Sequence, residues 1–258
     1  MLNFLKYLKE INLKIIDESY QKRKIERENK LLFETLAKEK KILDGIFKGM
    51  IYPTFKSFGS SIYPKIIGTY EYELQIIFKD LIKKKYKTII DIGCAEGYYA
   101  VGLKKAIPSA KIIAVDINPK ARNFCIEMAK LNNVYNDFQV LDQMNEDLLL
   151  SSLDENTLII CDCEGCEIEL FTKKNIAEFV KCDLIIETHD MINNSISTTL
   201  TNLFSKTHNV QIIQSIDDNL KAKYYNSVFL EGLDISIRKY LTRENRPQIM
   251  EWLICIKK

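Results

Sequence analysis

The sequence predicts an α/β fold built on a mostly parallel sheet, and three observations carry that reading. Seven short runs rich in β-branched and apolar residues recur at 87–92, 111–117, 138–141, 157–163, 183–188, 210–214 and 251–256. Helical stretches, with apolar residues near a 3.6-residue spacing, lie between most of them. The first run, in KTIIDIGCAEGYY, leads through Gly93 and Gly97 into an apolar helix start. Regular alternation of this kind builds right-handed βαβ units whose strands run parallel.

Residues 2–47 read as one or two helices. Leu2, Leu5, Leu8, Leu13 and Ile16 supply apolar positions at the start, and the mixed-charge segment QKRKIEREN follows. Gly45, Gly49 and Pro53 then interrupt the pattern. Residues 1–60 are therefore expected to be an N-terminal helical extension and residues 61–258 the main domain. The extension would pack on that domain or on a second subunit, as a homodimer, and its basic start would allow weak membrane-surface association. In YPKIIGTYEYELQIIFKDLIKKK, Thr69 is the expected N-cap of a helix whose end carries Lys83, Lys84 and Lys85, where cations suit the helix dipole. Residues 215–248 show a helical stretch at 235–241 and a turn at Asn245, Arg246 and Pro247; a lid and plain surface both fit.

With 258 residues, 47% of them hydrophobic, the chain can build the core of one α/β domain of ordinary size. A formal net charge of +2 provides no broad positive field, so nucleic acid is not an expected partner. Seven cysteines, scattered over strands and helices, lack the spacing of a disulfide framework and fit reduced thiols in a cytoplasmic protein. Lys6, Lys9, Glu10 and Lys14 break up the apolar start, so neither a transmembrane segment of roughly 20 apolar residues nor a signal peptide is expected.

A glycine turn between strand and helix brings backbone and a helix N-terminus up to a ligand, which points to a nucleotide-like cofactor. A dinucleotide fingerprint would place glycines at 93, 95 and 98, but Ala95 and Tyr98 occupy the last two. The D-x-G-x-x-x-G spacing of Asp91, Gly93 and Gly97 fits S-adenosylmethionine better. The second strand run ends in Asp116 and Ile117, and a carboxylate there accepts ribose hydroxyls in either class of cofactor. After the third run, Asp142 and Gln143 stand where an adenine edge is read or where the next helix is capped.

The motifs IIDIGCAEGYYAVGL, VDINPKARNFCIEMAKLNNV, IICDCEGCEIELF and LIIETHD, in that order, resemble a class I methyltransferase of the FkbM type over about residues 65–190. In that family the fourth strand carries D-x-E-G-x-E, matched by Asp162, Glu164, Gly165 and Glu167. The fifth strand ends in an acidic residue, often followed by a histidine, matched by Glu187 and His189. Cys163 and Cys166 stand where the family usually has Val and Ala. The resemblance implies a Rossmann-like seven-stranded sheet ordered 3-2-1-4-5-7-6 with the last strand antiparallel. It also implies methyl transfer from S-adenosylmethionine, enzyme class 2.1.1, to an acceptor that is commonly a hydroxyl.

In an open α/β sheet, ligands bind outside the carboxyl ends of the strands. Asp162, Glu164, Glu187 and His189 are thus expected to converge as the catalytic set. The cofactor set is Asp91, Gly93, Cys94, Ala95, Gly97, Tyr98, Asp116, Ile117, Asp142, Gln143 and Asp162. His189 is the first choice for general base, because an unperturbed imidazole titrates in the useful range. A histidine that merely hydrogen-bonds Asp162 or Glu187 is the alternative, and Asp162 could itself be the base or hold the cofactor's amino group. No metal is expected; a divalent cation on the carboxylates is the less favoured route, since imidazole is an unusual ligand for magnesium. Cys161, Cys163 and Cys166 form C-x-C-x-x-C without completing a tetrahedral set, and read as core side chains. The expected function is O-methylation of a hydroxyl on a small-molecule or glycan-type acceptor. N-methylation of a protein or nucleic acid, and a non-catalytic methyltransferase-like scaffold, are the alternatives.

Overall fold

The computed structural model describes residues 2–258, with side chains from Ser19 onward. Seven strands form one sheet: β1 (Thr88–Ile92), β2 (Lys111–Val115), β3 (Phe138–Leu141), β4 (Thr157–Cys161), β5 (Cys182–Thr188), β6 (His208–Gln214) and β7 (Glu251–Lys257). Their order across the sheet is β3-β2-β1-β4-β5-β7-β6, as expected. β1 to β5 pair in parallel, and β7 runs antiparallel to both β5 and β6.

Every residue of β1, β4 and β5 is buried, because helices cover both faces of the central strands. Successive residues point to opposite faces. Ile89, Leu158, Ile185 and Trp252 belong to one apolar layer, and Ile90, Ile159, Leu184 and Leu253 belong to the other. Chain progression along the sheet reverses between β1 and β4, which opens a crevice at their carboxyl ends.

The N-terminal helix spans Leu2–Leu36 and stops short of Phe47. Residues 41–51 instead fold back on themselves: Lys41 bridges Ile51 antiparallel, and Gly45 and Gly49 take the positive φ values that a helix cannot hold. Phe33, Ile42, Phe47, Met50 and Tyr52 join the same apolar layer as Ile89 and Trp252. The apolar positions Leu2, Leu5, Leu8, Leu13 and Ile16 lie outside the residues whose side chains are described. Among the described residues no helix is long and apolar enough to cross a membrane.

Thr69 does not cap a helix. Gly68, at φ +93°, closes the helix Ile62–Ile67, and the Thr69 N–H goes to the Pro64 carbonyl of that closure. The next regular helix is Gln75–Lys83, entered through a 3-10 turn at Tyr72–Leu74. Residues 215–248 hold two short helices, Asp218–Tyr224 and Ile235–Thr242.

Candidate active site

The glycine turn after β1 is held by the protein itself. A Cβ on Gly93 would lie 1.7 Å from the Asp162 carbonyl oxygen, and one on Gly97 would lie 2.6 Å from Cys125 Sγ. Both residues also sit at positive φ. The glycines therefore let the end of β4 and the helix Pro119–Leu131 close on the turn, a tighter constraint than ligand approach. Asp91 is buried beneath the turn, where its Oδ2 accepts the Ala100 N–H and burial pushes its carboxyl up to about 7. Cys94 and Tyr98 are each 4% exposed and belong to the apolar core. Between Gly93 and Gly97, partial exposure remains at Gly93 and Ala95.

Asp116 ties this turn to the end of β2. Its Oδ2 accepts the Ala95 N–H at 2.8 Å and its Oδ1 the Asn118 N–H at 2.7 Å. A carboxylate has about four acceptor sites, so two donors leave room for ribose hydroxyls. Ile117 is 82% exposed beside it, and Asp142 and Gln143 are exposed past the neighbouring tip of β3. The helix after β3 is capped by Asn145, whose side chain accepts the Leu148 N–H, so neither Asp142 nor Gln143 is used as its cap. The tips of β2 and β3 thus present a carboxylate, an apolar side chain and further polar groups side by side.

Asp162, Glu164, Glu187 and His189 do converge, lining one cavity of about 280 Å³ outside β4 and β5. His189 is 1% exposed, and its Nδ1 lies 2.6 Å from Glu167 Oε1. An ionised carboxylate only accepts, so Nδ1 carries a hydrogen toward Glu167 and Nε2 is left facing the cavity. Nε2 faces Glu164 Oε2 at 3.3 Å, Asp162 Oδ1 at 3.4 Å and Glu187 Oε2 at 3.9 Å. Burial alone would lower the imidazole's pKa, but Glu167, Glu187 and Glu164 outweigh it and raise the pKa above its ordinary value. Burial and the neighbouring Glu187 push Asp162 well above the usual carboxylate range, and its Oδ1 is buried without a hydrogen-bond partner. Asp162, Glu164 and His189 each bring one ligand-type atom within 4.8 Å of the others, a spacing that acidic clusters also reach without an ion.

Cys163 and Cys166 are joined by a disulfide, contrary to the expectation of reduced core thiols. Glu164 at φ +56° and Gly165 at φ +109° turn the chain so that the two Cα atoms stand 5.6 Å apart, within disulfide range. Cys161 stays a free thiol buried in β4, as expected. The other histidine, His208, is structural: its Nε2 lies 3.1 Å from the Cys182 carbonyl oxygen.

A family model described as "Methyltransferase domain" matches residues 83–232, more than half of the chain. The chain belongs to this methyltransferase-domain family. Among curated proteins, it is 33% identical over 64 residues to the release factor glutamine methyltransferase of Deinococcus radiodurans, covering 25% of this chain and 23% of that protein. The chain thus spans about a quarter of the length of the curated relatives it matches. Among solved structures, an rRNA methylase from Streptococcus thermophilus aligns at 12% identity and a TM-score of 0.48, over 72% of this chain and 97% of that one. The O-methyltransferase TomG from Streptomyces achromogenes, solved with its cofactor SAM, aligns at 9% identity and a TM-score of 0.46, over 70% of this chain and 78% of that one.

Several residues of the site lie outside the stretch matched to the methyltransferase-domain family. Ser60, Tyr70, Glu244, Arg246 and Met250 line the same cavity, and sequence reading assigned none of them to it. Glu167 was legible as the last position of D-x-E-G-x-E, but its part as the partner of His189 was not. Glu96, in the middle of the glycine turn, is fully buried and accepts from Lys65 Nζ, Ser57 Oγ, Tyr52 Oη and the Phe58 N–H. That cluster fastens the segment before Ser60 to the glycine turn. Sequence carried a signal for it only in an acidic residue placed inside a buried turn.

Proposed function

We propose that this chain is an S-adenosylmethionine-dependent O-methyltransferase of the FkbM type, acting on a hydroxyl of a small-molecule or glycan-type acceptor. The carrying observation is His189: its Nδ1 is fixed by Glu167, and its Nε2 opens into a cavity at the ends of β4 and β5. Bound S-adenosylmethionine supplies a methyl group made electrophilic by its sulfonium. Asp116 would accept its ribose hydroxyls, and Ile117, Asp142 and Gln143 would border its adenine. The acceptor hydroxyl would sit against Asp162 and Glu187, and Nε2 of His189 would take its proton. Glu167 then stabilises the imidazolium that forms. Alignment of the two reactants can supply several kcal/mol more. Residues 61–258 carry this chemistry, and the extension 1–60 contributes Gly59 and Ser60 to the cavity wall.

The cavity's size suits a single small group. Its lining sets Asp162, Glu164, Glu187 and Glu244 against one arginine, Arg246, already paired to Glu187 and Glu244, which weighs against a phosphate-bearing acceptor. Two measurements test the reading. Calorimetry with S-adenosylhomocysteine should show binding that Asp116→Ala weakens tenfold or more; absence of binding to the unmodified chain would refute methyl transfer. With a panel of polyhydroxylated acceptors, His189→Ala should lower S-adenosylhomocysteine release by a factor of about 100 or more at unchanged cofactor affinity. An unchanged rate would reject the base.

A further inference from the structure

Arg246 stands in the turn before β7, and its guanidinium gathers three carboxylates from distant parts of the chain. Nη1 binds Glu187 at the end of β5, Nη2 lies 2.7 Å from Glu71, and Nε lies 2.9 Å from Glu244. The three partner side chains are buried and Arg246 is 18% exposed, so the planar fork has no room to swing. Its partners are themselves held: Tyr99 Oη donates to Glu71, and Lys221 Nζ donates to Glu244.

This clamp bears on the imidazole through Glu187. One carboxylate oxygen, Oε1, is taken by Arg246, and the other, Oε2, stops 3.9 Å from His189 Nε2, beyond hydrogen-bond range. A buried carboxylate without its cation draws a proton or moves onto the nearest donor. His189 Nε2, 3.9 Å from Oε2, lies within reach of such a move.

We propose that Arg246 is a positioning residue for His189: by gripping Glu187 it keeps that carboxylate from joining Glu164 and Asp162, which already stand 3.3 and 3.4 Å from Nε2, against the nitrogen. The proposal rests on the reading of His189 as base. The titratable groups facing the ring are Asp162 and Glu164 from the loop after β4, Glu167 from the helix Glu167–Leu170, and Glu187 from β5.

The chain has two histidines, so imidazole NMR follows His189 with His208 as internal reference. Arg246→Gln is expected to raise the His189 titration midpoint by about half a pH unit or more, because removal of a cation favours every bound proton nearby. His208 should not move. In a Glu187→Gln background, the same substitution is expected to shift His189 by less than half as much. An unchanged midpoint, or a shift equally large in both backgrounds, overturns the proposal; Arg246 would then be a structural clamp or act on the ring by its field alone. Should Arg246→Gln not fold, Arg246→Lys carries the same cycle, since an ammonium keeps the charge but not the three-way grip. A smaller rise that Glu187→Gln abolishes supports the proposal, and no rise overturns it. The titration needs neither cofactor nor acceptor, so its failure is distinct from failure of cofactor binding in calorimetry.

Discussion

Replacing Lys65 by Met isolates the contact that ties the N-terminal segment to the glycine turn. The Lys65 and Glu96 side chains are 3% and 0% exposed, with Nζ 2.5 Å from Oε1. Nζ also donates to Ser57 Oγ at 3.0 Å and sits 4.6 Å from the centre of the Tyr70 ring. Methionine keeps the chain's bulk but leaves a buried carboxylate without its cation. Breaking one side of a buried ion pair costs about 3–5 kcal/mol. Glu96 retains the Ser57 and Tyr52 hydroxyls and the Phe58 N–H, which places the loss at the lower end, about 3 kcal/mol. Against a typical stability of about 5–15 kcal/mol, that is a large fraction. In urea unfolding followed by far-UV circular dichroism, the midpoint should fall by about 1 M or more at constant slope. Adding Glu96→Gln removes the stranded charge and should recover most of the loss. A loss under about 1 kcal/mol, or a double variant no better than the single one, would refute the assignment of Glu96 as a carboxylate that depends on Lys65.

Gly93→Ala should cost about 3 kcal/mol or more, or give no soluble protein, because its Cβ would meet the Asp162 carbonyl at φ +85°. Gly59→Ala, at φ +71° with nothing within 4 Å, should cost only about 1 kcal/mol in the same thermal or urea unfolding assay. Asp183 is held below the ordinary carboxylate range: burial would raise it, but Lys84, the Tyr86 hydroxyl and the Lys257 N–H outweigh burial. A folded-state pKa below the unfolded one gives stability that is present above about pH 4 and lost as pH falls through the folded value. Asp183→Asn should therefore flatten the fall in urea midpoint between neutral and acid pH, and an unchanged slope would contradict this.

The sheet was legible because each strand is a continuous apolar run between turns, and burial on both faces demands such runs. Its ends were less so. β4 stops at Cys161, two residues before the apolar pattern does, because Asp162 turns out to the cavity and Glu164 and Gly165 take positive φ. The N-terminal helix stops at Leu36 for a related reason: helical spacing continues past it, but Gly45 and Gly49 serve a fold-back whose apolar residues pack into the sheet layer. Spacing alone does not distinguish a residue buried by a helix from one buried by a turn.

The same contrast divides the site. Asp162, Glu164, Glu187 and His189 could be placed from sequence because a parallel sheet brings its strand tips to one edge, whatever the details of packing. Arg246 and Glu71 meet across 175 residues, and no local pattern encodes that contact. Cys94 and Tyr98 are buried in the apolar core beside the glycine turn, and proximity in sequence says nothing of which way a side chain points. His189 and its strand-tip neighbours lie within the stretch matched to the family, whereas Ser60, Tyr70, Arg246 and Met250 lie outside it. Groups that take a proton from any acceptor can stay on the sheet edge. Walls that choose the acceptor need only reach the cavity, so segments on either side of the matched stretch can supply them. Arg246 joins the two kinds of part, because a residue of the cavity wall also grips Glu187, the carboxylate beside His189.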